Sequence, residues 1–81
     1  MQVNKTEIEN RLIGYFKENV DTVVDSETLL LEEKVIDSMG VIELVAFLEE
    51  TYKVEFTDDD LTVDNFKTIG SISELILSKP R

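Results

Sequence analysis

The residues with the clearest chemical potential are Asp37, Ser38 and Met39, which stand together where a helix is predicted to begin. A serine at this position lies beside unpaired backbone N–H groups and the positive end of the helix dipole, and both stabilise a phosphate. An Asp-Ser pair is also an ordinary helix cap. The triplet alone therefore indicates either a simple cap or a serine that accepts a phosphate ester.

The residue types that the chain lacks exclude most catalytic sites. None of the 81 residues is cysteine or histidine, which excludes thiol nucleophiles, Ser-His pairs and the commonest neutral metal ligand. The acidic run at residues 58–60 suggests calcium, but an EF-hand loop counted from its first residue needs glycine and glutamate where the chain has Val63 and Ile69. We therefore expect no catalytic residue, no metal site and no enzyme in a chain with so small a core.

The charge of the chain restricts its partners. Eight Lys plus Arg against eighteen Asp plus Glu leave a net charge of −10, and residues 35–66 hold nine acids and one base. Such a field repels nucleic acid and anionic lipid and favours basic protein partners, although an acidic surface can also serve solubility alone. We expect neither nucleic-acid binding nor membrane insertion.

The elements that position the triplet are predicted to be helices. A Thr6–Glu9 capping box starts the first helix, which carries an apolar stripe to about Glu18. A long loop follows, and the leucines at 29–31 are expected to pin it over the core. The second helix has Ser38 as its N-cap and ends near Tyr52. Single turns at 57–61 and 64–66 precede a last helix from Ser71 to Ser78.

The second helix has two contrasting faces when its residues are placed about 100° apart. The core stripe is predicted to contain Val41, Leu44, Val45, Leu48 and Tyr52. The opposite side and its shoulder contain Met39, Ile42, Glu43, Ala46, Glu49 and Glu50. Small apolar side chains ringed by acids are typical of a docking surface rather than of a purely solvated face.

Residues 30–44 resemble the signature of the acyl carrier and peptidyl carrier proteins. That signature is an Asp-Ser-Leu or Asp-Ser-Met triplet that opens the second helix and is followed by a Glu-Leu pair, here Glu43-Leu44. The length, the acidity and the long first loop agree, so the resemblance covers nearly the whole chain. It implies a single carrier domain over residues 1–81. The implied fold is an all-α four-helix bundle with a long loop between helices 1 and 2 and a short third helix.

The resemblance also implies a prosthetic group and partner enzymes. Ser38 would be esterified with 4′-phosphopantetheine, taken from coenzyme A by a separate phosphopantetheinyl transferase, and acyl groups would be bound as thioesters on its thiol. Asp37 and Met39 would flank the attachment point. The second helix would dock on basic patches of acyl-loading and acyl-processing enzymes. The implied docking residues are Ile42, Glu43, Ala46, Glu49 and Glu50.

The chain departs from the family pattern at two places. Many members have glycine two or three residues before the Asp-Ser pair, where this chain has Val35 and Lys34. Residues 61–66 form a longer segment than in compact fatty-acid carriers and resemble discrete carriers of specialised pathways. The interpretation is an acyl carrier of fatty-acid, polyketide or related biosynthesis. The alternatives are an aminoacyl or peptidyl carrier, and an acidic helical adaptor without a prosthetic group.

The beginning of the sequence bears on location. Residues 1–9 are mostly polar where a signal peptide needs an apolar run, and the longest apolar stretches are far below the ~20 residues of a membrane span. We expect a cytoplasmic protein, and a monomer suits a shuttling carrier.

Overall fold

A computed structural model describes residues 4–79 of the chain. The described part contains three α-helices, of which α1 spans Lys5–Asn19, α2 spans Ser38–Tyr52 and α3 spans Ile69–Leu77. A single 3-10 turn, Asp58–Asp60, lies between α2 and α3, and residues 4–79 include no strand. The all-α prediction is confirmed. The predicted count of four helices is not confirmed, because no short third α-helix forms between α2 and α3.

The missing helix has a local cause in the sequence of residues 57–66. Asp60 Oδ2 accepts a hydrogen bond from the Thr57 backbone N–H at 2.9 Å, and this reciprocal cap favours the start of a helix. The residues that follow include the β-branched Thr62 and Val63 and the turn formers Asp64 and Asn65, all of which have lower helix propensity than leucine or alanine. The side chain of Asn65 donates to the Asp60 carbonyl oxygen at 2.9 Å. The segment is therefore held as consecutive turns.

Two helices begin earlier than their sequences predict. Asn4 is the N-cap of α1, since its Oδ1 accepts the Glu7 N–H at 2.9 Å, whereas the prediction used a box starting at Thr6. Thr68 is the N-cap of α3, since its Oγ1 accepts the Ser71 N–H at 3.1 Å. Several residues in each segment are good caps, and the tertiary packing decides among them. The predicted ends near Glu18 and Ser78 lie within one residue of the observed ends.

The core lies between the three helices and contains one stripe from each. Its helical members are Ile8, Leu12, Phe16, Leu44, Leu48, Tyr52, Ile69, Ile72 and Ile76. The predicted core face of α2 is confirmed, with Val41 and Val45 partly buried at its margins. No helix within residues 4–79 combines the length and hydropathy that a bilayer span requires.

Leu30 pins the long first loop over this core, as predicted. Its side chain is fully buried, and its N–H donates to the Lys67 carbonyl oxygen at 2.9 Å. Its own carbonyl oxygen accepts from the N–H groups of Val35 and Ile36 at 2.8 and 3.2 Å. The chain that leads into α2 is therefore positioned by both apolar packing and backbone hydrogen bonds.

An ion pair ties the end of α3 to the 3-10 turn. Lys79 Nζ lies 2.5 Å from Asp60 Oδ2 and 5.1 Å from the centroid of the Phe56 ring. The hydrogen bonds from Lys79 and then from the Thr57 N–H hold the pKa of Asp60 below its ordinary value. These contacts fix the segment that follows α2 against the rest of the fold.

Ser73 is the exception in the core stripe of α3. The apolar pattern predicts Ile72, Leu75 and Ile76 on the inner face, but Ser73 is fully buried and Leu75 only partly so. The Ser73 Oγ has no hydrogen-bond partner within residues 4–79. A buried hydroxyl without a hydrogen-bond partner has lost its hydrogen bonds to water and gained none in the protein, which raises the free energy of the folded state.

Replacing Ser73 by alanine is therefore expected to stabilise the protein by about 1 kcal/mol. For a domain of this size that corresponds to a rise in the unfolding midpoint of about 4–8 °C. Thermal melts followed by circular dichroism measure the shift. Ser71→Ala is the matched control, because the Ser71 hydroxyl is already hydrogen-bonded to Thr68. An unchanged or lower midpoint for Ser73→Ala would contradict the argument.

Candidate functional site

Asp37, rather than Ser38, caps α2. The backbone of Asp37 is extended, its Oδ1 accepts the Gly40 N–H at 2.9 Å, and its carbonyl oxygen accepts the Val41 N–H at 2.9 Å. The prediction of Ser38 as N-cap is therefore wrong by one residue, because both side chains can cap and the carboxylate has the reach to Gly40. Ser38 becomes the first helical residue, and its exposed hydroxyl has no capping role.

The start of α2 offers donors to an anion on Ser38. The N–H groups of Gly40 and Val41 are used by Asp37, whereas those of Ser38 and Met39 meet no acceptor among residues 4–79. The positive end of the dipole of this 15-residue helix adds to them. Two unpaired backbone donors beside an exposed hydroxyl fit a phosphodiester on Ser38.

An open groove begins beside Ser38. The end of α1, the end of the long loop and the first turns of α2 line it, and its members include Asn19, Leu31, Val35 and Met39. Its charged lining residues are Lys34, Asp37 and Glu43. A solvent-exposed groove with both apolar and polar walls suits a flexible chain better than a fully enclosed ligand.

Gly40 allows the close packing that builds this site. A Cβ atom added to Gly40 would lie 3.1 Å from the Ile36 Cβ and 3.5 Å from the Asp37 Oδ1. The glycine therefore lets the first turn of α2 approach the buried Ile36 while Asp37 keeps its cap. This role of Gly40 was not predicted from the sequence, although its place directly after the triplet was a usable signal.

Lys34 was also given no functional role, and it has an unusual backbone. Its φ is 59°, in the left-handed region that favours glycine. Lys34 and Val35 are the two positions where the resemblance implies a glycine, and of the two Lys34 has the left-handed backbone. The absent glycine is the signal in the sequence that marks this residue.

The predicted docking residues do not all lie in the same environment. Ile42, Glu43, Ala46 and Glu50 are exposed, as is Met39 beside the predicted attachment point. These exposed residues of α2 (Met39, Ile42, Glu43, Ala46 and Glu50) are called the acidic face below. Met39 and Ile42 are 66% and 61% exposed, and both lie on this one side of α2.

Glu49 differs from the acidic face because its carboxylate has an internal partner. Its Oε2 accepts the Phe56 N–H at 3.0 Å, and the residue is partly buried. It thereby holds the chain that leaves α2. Glu43, in contrast, has a free surface position, and its negative charge adds to burial in raising the pKa of Tyr15.

The chain is similar to known proteins over most of its length. Residues 10–76 match the protein family described as "Phosphopantetheine attachment site". An acyl carrier protein of Buchnera aphidicola subsp. Baizongia pistaciae is 30% identical over 57 residues, or 70% of each chain. The probable acyl carrier protein PigG of Serratia sp. is 30% identical over 73 residues, which cover 85% of this chain and 84% of that protein. An acyl carrier protein of Clostridium perfringens is 32% identical over 53 residues, which cover 65% and 67%.

Proposed function

Because the chain belongs to the acyl carrier protein family and carries a covalent 4′-phosphopantetheine, we propose that Ser38 is the attachment residue. The observation that supports this is an exposed hydroxyl beside the two unpaired N–H groups at the start of α2. The Ser38 oxygen would form the new ester bond to phosphorus while the pyrophosphate bond of coenzyme A breaks. Adenosine 3′,5′-bisphosphate leaves, and a base of the transferase takes the hydroxyl proton.

The proposed function is that of a carrier rather than of a catalyst. The thiol of the bound arm supplies the thioester chemistry that a chain without cysteine lacks. The residues of the chain itself position the arm, since Asp37 fixes the first turn of α2 and Gly40 lets it pack on Ile36. The chain would present acyl intermediates to enzymes of fatty-acid, polyketide or related biosynthesis. Acyl cargo is favoured over aminoacyl or peptidyl cargo because the three relatives named above are described as acyl carriers.

The proposed partners are a phosphopantetheinyl transferase and acyl-loading and acyl-processing enzymes with basic patches. The acidic face supports this, because Glu43 and Glu50 lie on the same side of α2 as the exposed apolar side chains of Met39 and Ile42. Opposite charges steer such partners together, and the apolar contacts then hold them. We propose that the carrier acts as a cytoplasmic monomer, without nucleic acid and without insertion into a membrane.

The experiment that tests this function is loading of the purified chain. Incubation with coenzyme A and a broad-specificity phosphopantetheinyl transferase should add the mass of one 4′-phosphopantetheine, measured on the intact protein. A reaction without transferase is the control and should add none. A helical protein that gains no mass with several transferases would instead support the acidic adaptor without a prosthetic group.

A further inference from the structure

Lys34 is an isolated positive charge next to the proposed attachment site. It is the only lysine or arginine between residues 18 and 52. Its side chain is exposed and lines the groove that begins at Ser38. The charged residues that share this groove, Asp37 and Glu43, are both acidic. The groove therefore has one cation to offer an anionic ligand.

The Lys34 ammonium is not used elsewhere in the described part of the chain. Acids surround it in the sequence at Glu32, Glu33 and Asp37, yet it forms no ion pair within residues 4–79. Lys79, by contrast, is held by Asp60. A lysine without a carboxylate partner keeps three N–H donors for another acceptor.

Lys34 also has a left-handed backbone, a feature that it shares with Asp21 and Lys53. A φ of 59° is disfavoured for any residue with a Cβ, and glycine at this position would relieve the strain. Strained residues of this kind persist where the surrounding structure fixes them, often at functional sites. Of these three residues, Lys34 is the one whose side chain lines the groove beside Ser38.

We propose that the Lys34 ammonium binds the phosphodiester that joins the prosthetic group to Ser38. This proposal rests on Ser38 being the attachment residue. A phosphodiester is an anion at neutral pH, and adding it to a groove that holds Asp37 and Glu43 brings like charges together. Lys34 offsets this repulsion from the loop side, while the N–H groups of Ser38 and Met39 bind from the helix side. The first atoms of the arm are thereby held on the groove wall.

The first test compares apo and holo wild-type protein by NMR of the lysine side chains. Attachment at Ser38 should shift the Cε–Hε signals of Lys34 and leave those of Lys53 in place. Lys53 is a matched control because it is an exposed lysine with a φ of 56° that does not line the groove. Equal or absent shifts at both lysines would overturn the proposal. This measurement does not depend on the folding of a variant.

The second test measures how much attachment stabilises the protein in wild type, Lys34→Gln and Lys53→Gln. An exposed ion pair of ordinary strength predicts that the holo-minus-apo difference in unfolding midpoint is lower by about 2–4 °C in Lys34→Gln. Lys53→Gln should match wild type, and the deficit should shrink with added salt. Equal differences in all three proteins would overturn the role of Lys34. Intact mass separates that failure from failure of the proposed function, in which wild type gains no mass or Ser38→Ala still gains it.

Discussion

Replacement of Ser38 by alanine is expected to abolish prosthetic-group attachment completely while leaving the fold intact. The substitution removes the one oxygen that can form the phosphoester bond at the start of α2. The Ser38 hydroxyl has no hydrogen-bond partner within residues 4–79, so its loss should change the free energy of unfolding by no more than about 0.5 kcal/mol. Intact mass after incubation with coenzyme A and a transferase measures attachment, and a thermal melt of the apo protein measures the fold.

A second serine provides the control for this experiment. Ser71 lies in the first turn of α3, so it shares the helical setting of Ser38 but is partly buried and hydrogen-bonded to Thr68. Ser71→Ala should therefore gain the same mass as wild type. A mass gain in Ser38→Ala, or its loss in Ser71→Ala with the fold preserved, would show that attachment occurs elsewhere. The comparison assigns the site independently of which acyl group the carrier bears.

The start of α2 also shows why its N-cap could not be predicted from the sequence. Ser38 and Asp37 are both good caps, so the triplet alone does not reveal which side chain turns inward to the N–H groups. In the structure the carboxylate of Asp37 reaches Gly40, and this leaves the serine hydroxyl exposed. Because Asp37 is the cap, the Ser38 hydroxyl is exposed. A capping Ser38 would instead have its hydroxyl bound to a backbone N–H of the first turn.

The core stripe of α2 was predictable because one helical period repeats over four turns. Leu44, Leu48 and Tyr52 lie in register, and each is buried as expected. The role of Glu49 was not predictable in the same way. Its carboxylate binds the Phe56 N–H, and that contact depends on how the chain turns back after α2. A helical projection places Glu49 near the acidic face but carries no information about the following segment.

The left-handed conformation of Lys34 could not be predicted from the sequence for a related reason. Lysine gives no local sign of a positive φ, whereas glycine or asparagine would. The conformation is imposed by contacts around it, in which Leu30 is buried and accepts backbone hydrogen bonds from Val35 and Ile36. Tertiary packing therefore overrides the preference of the residue. The conformation could therefore be found only in the structure.

Reversing two charges of the acidic face should slow loading about tenfold at low salt. Glu43 and Glu50 are exposed on the side of α2 that does not enter the core, so Glu43→Lys/Glu50→Lys should keep its helical content. The approach of a basic partner should become slower because the local attraction is replaced by repulsion. The rate of mass gain with a phosphopantetheinyl transferase measures this effect directly, and Glu49 is left unchanged because it supports Phe56.

The effect of the net charge must be separated from the effect of where the charges lie. The double variant Glu18→Lys/Glu27→Lys is the control for this. Both residues are exposed and lie outside α2, at the end of α1 and in the long loop, so the net charge shifts equally without touching the acidic face. The control pair should be loaded at close to the wild-type rate. Raising the salt from about 0.01 M to 0.15 M shortens the Debye length from about 30 Å to about 8 Å, and the deficit of the α2 variant should narrow accordingly. Equal slowing in both pairs would assign the effect to overall charge, and wild-type loading of the α2 variant at all salt concentrations would place the docking surface elsewhere.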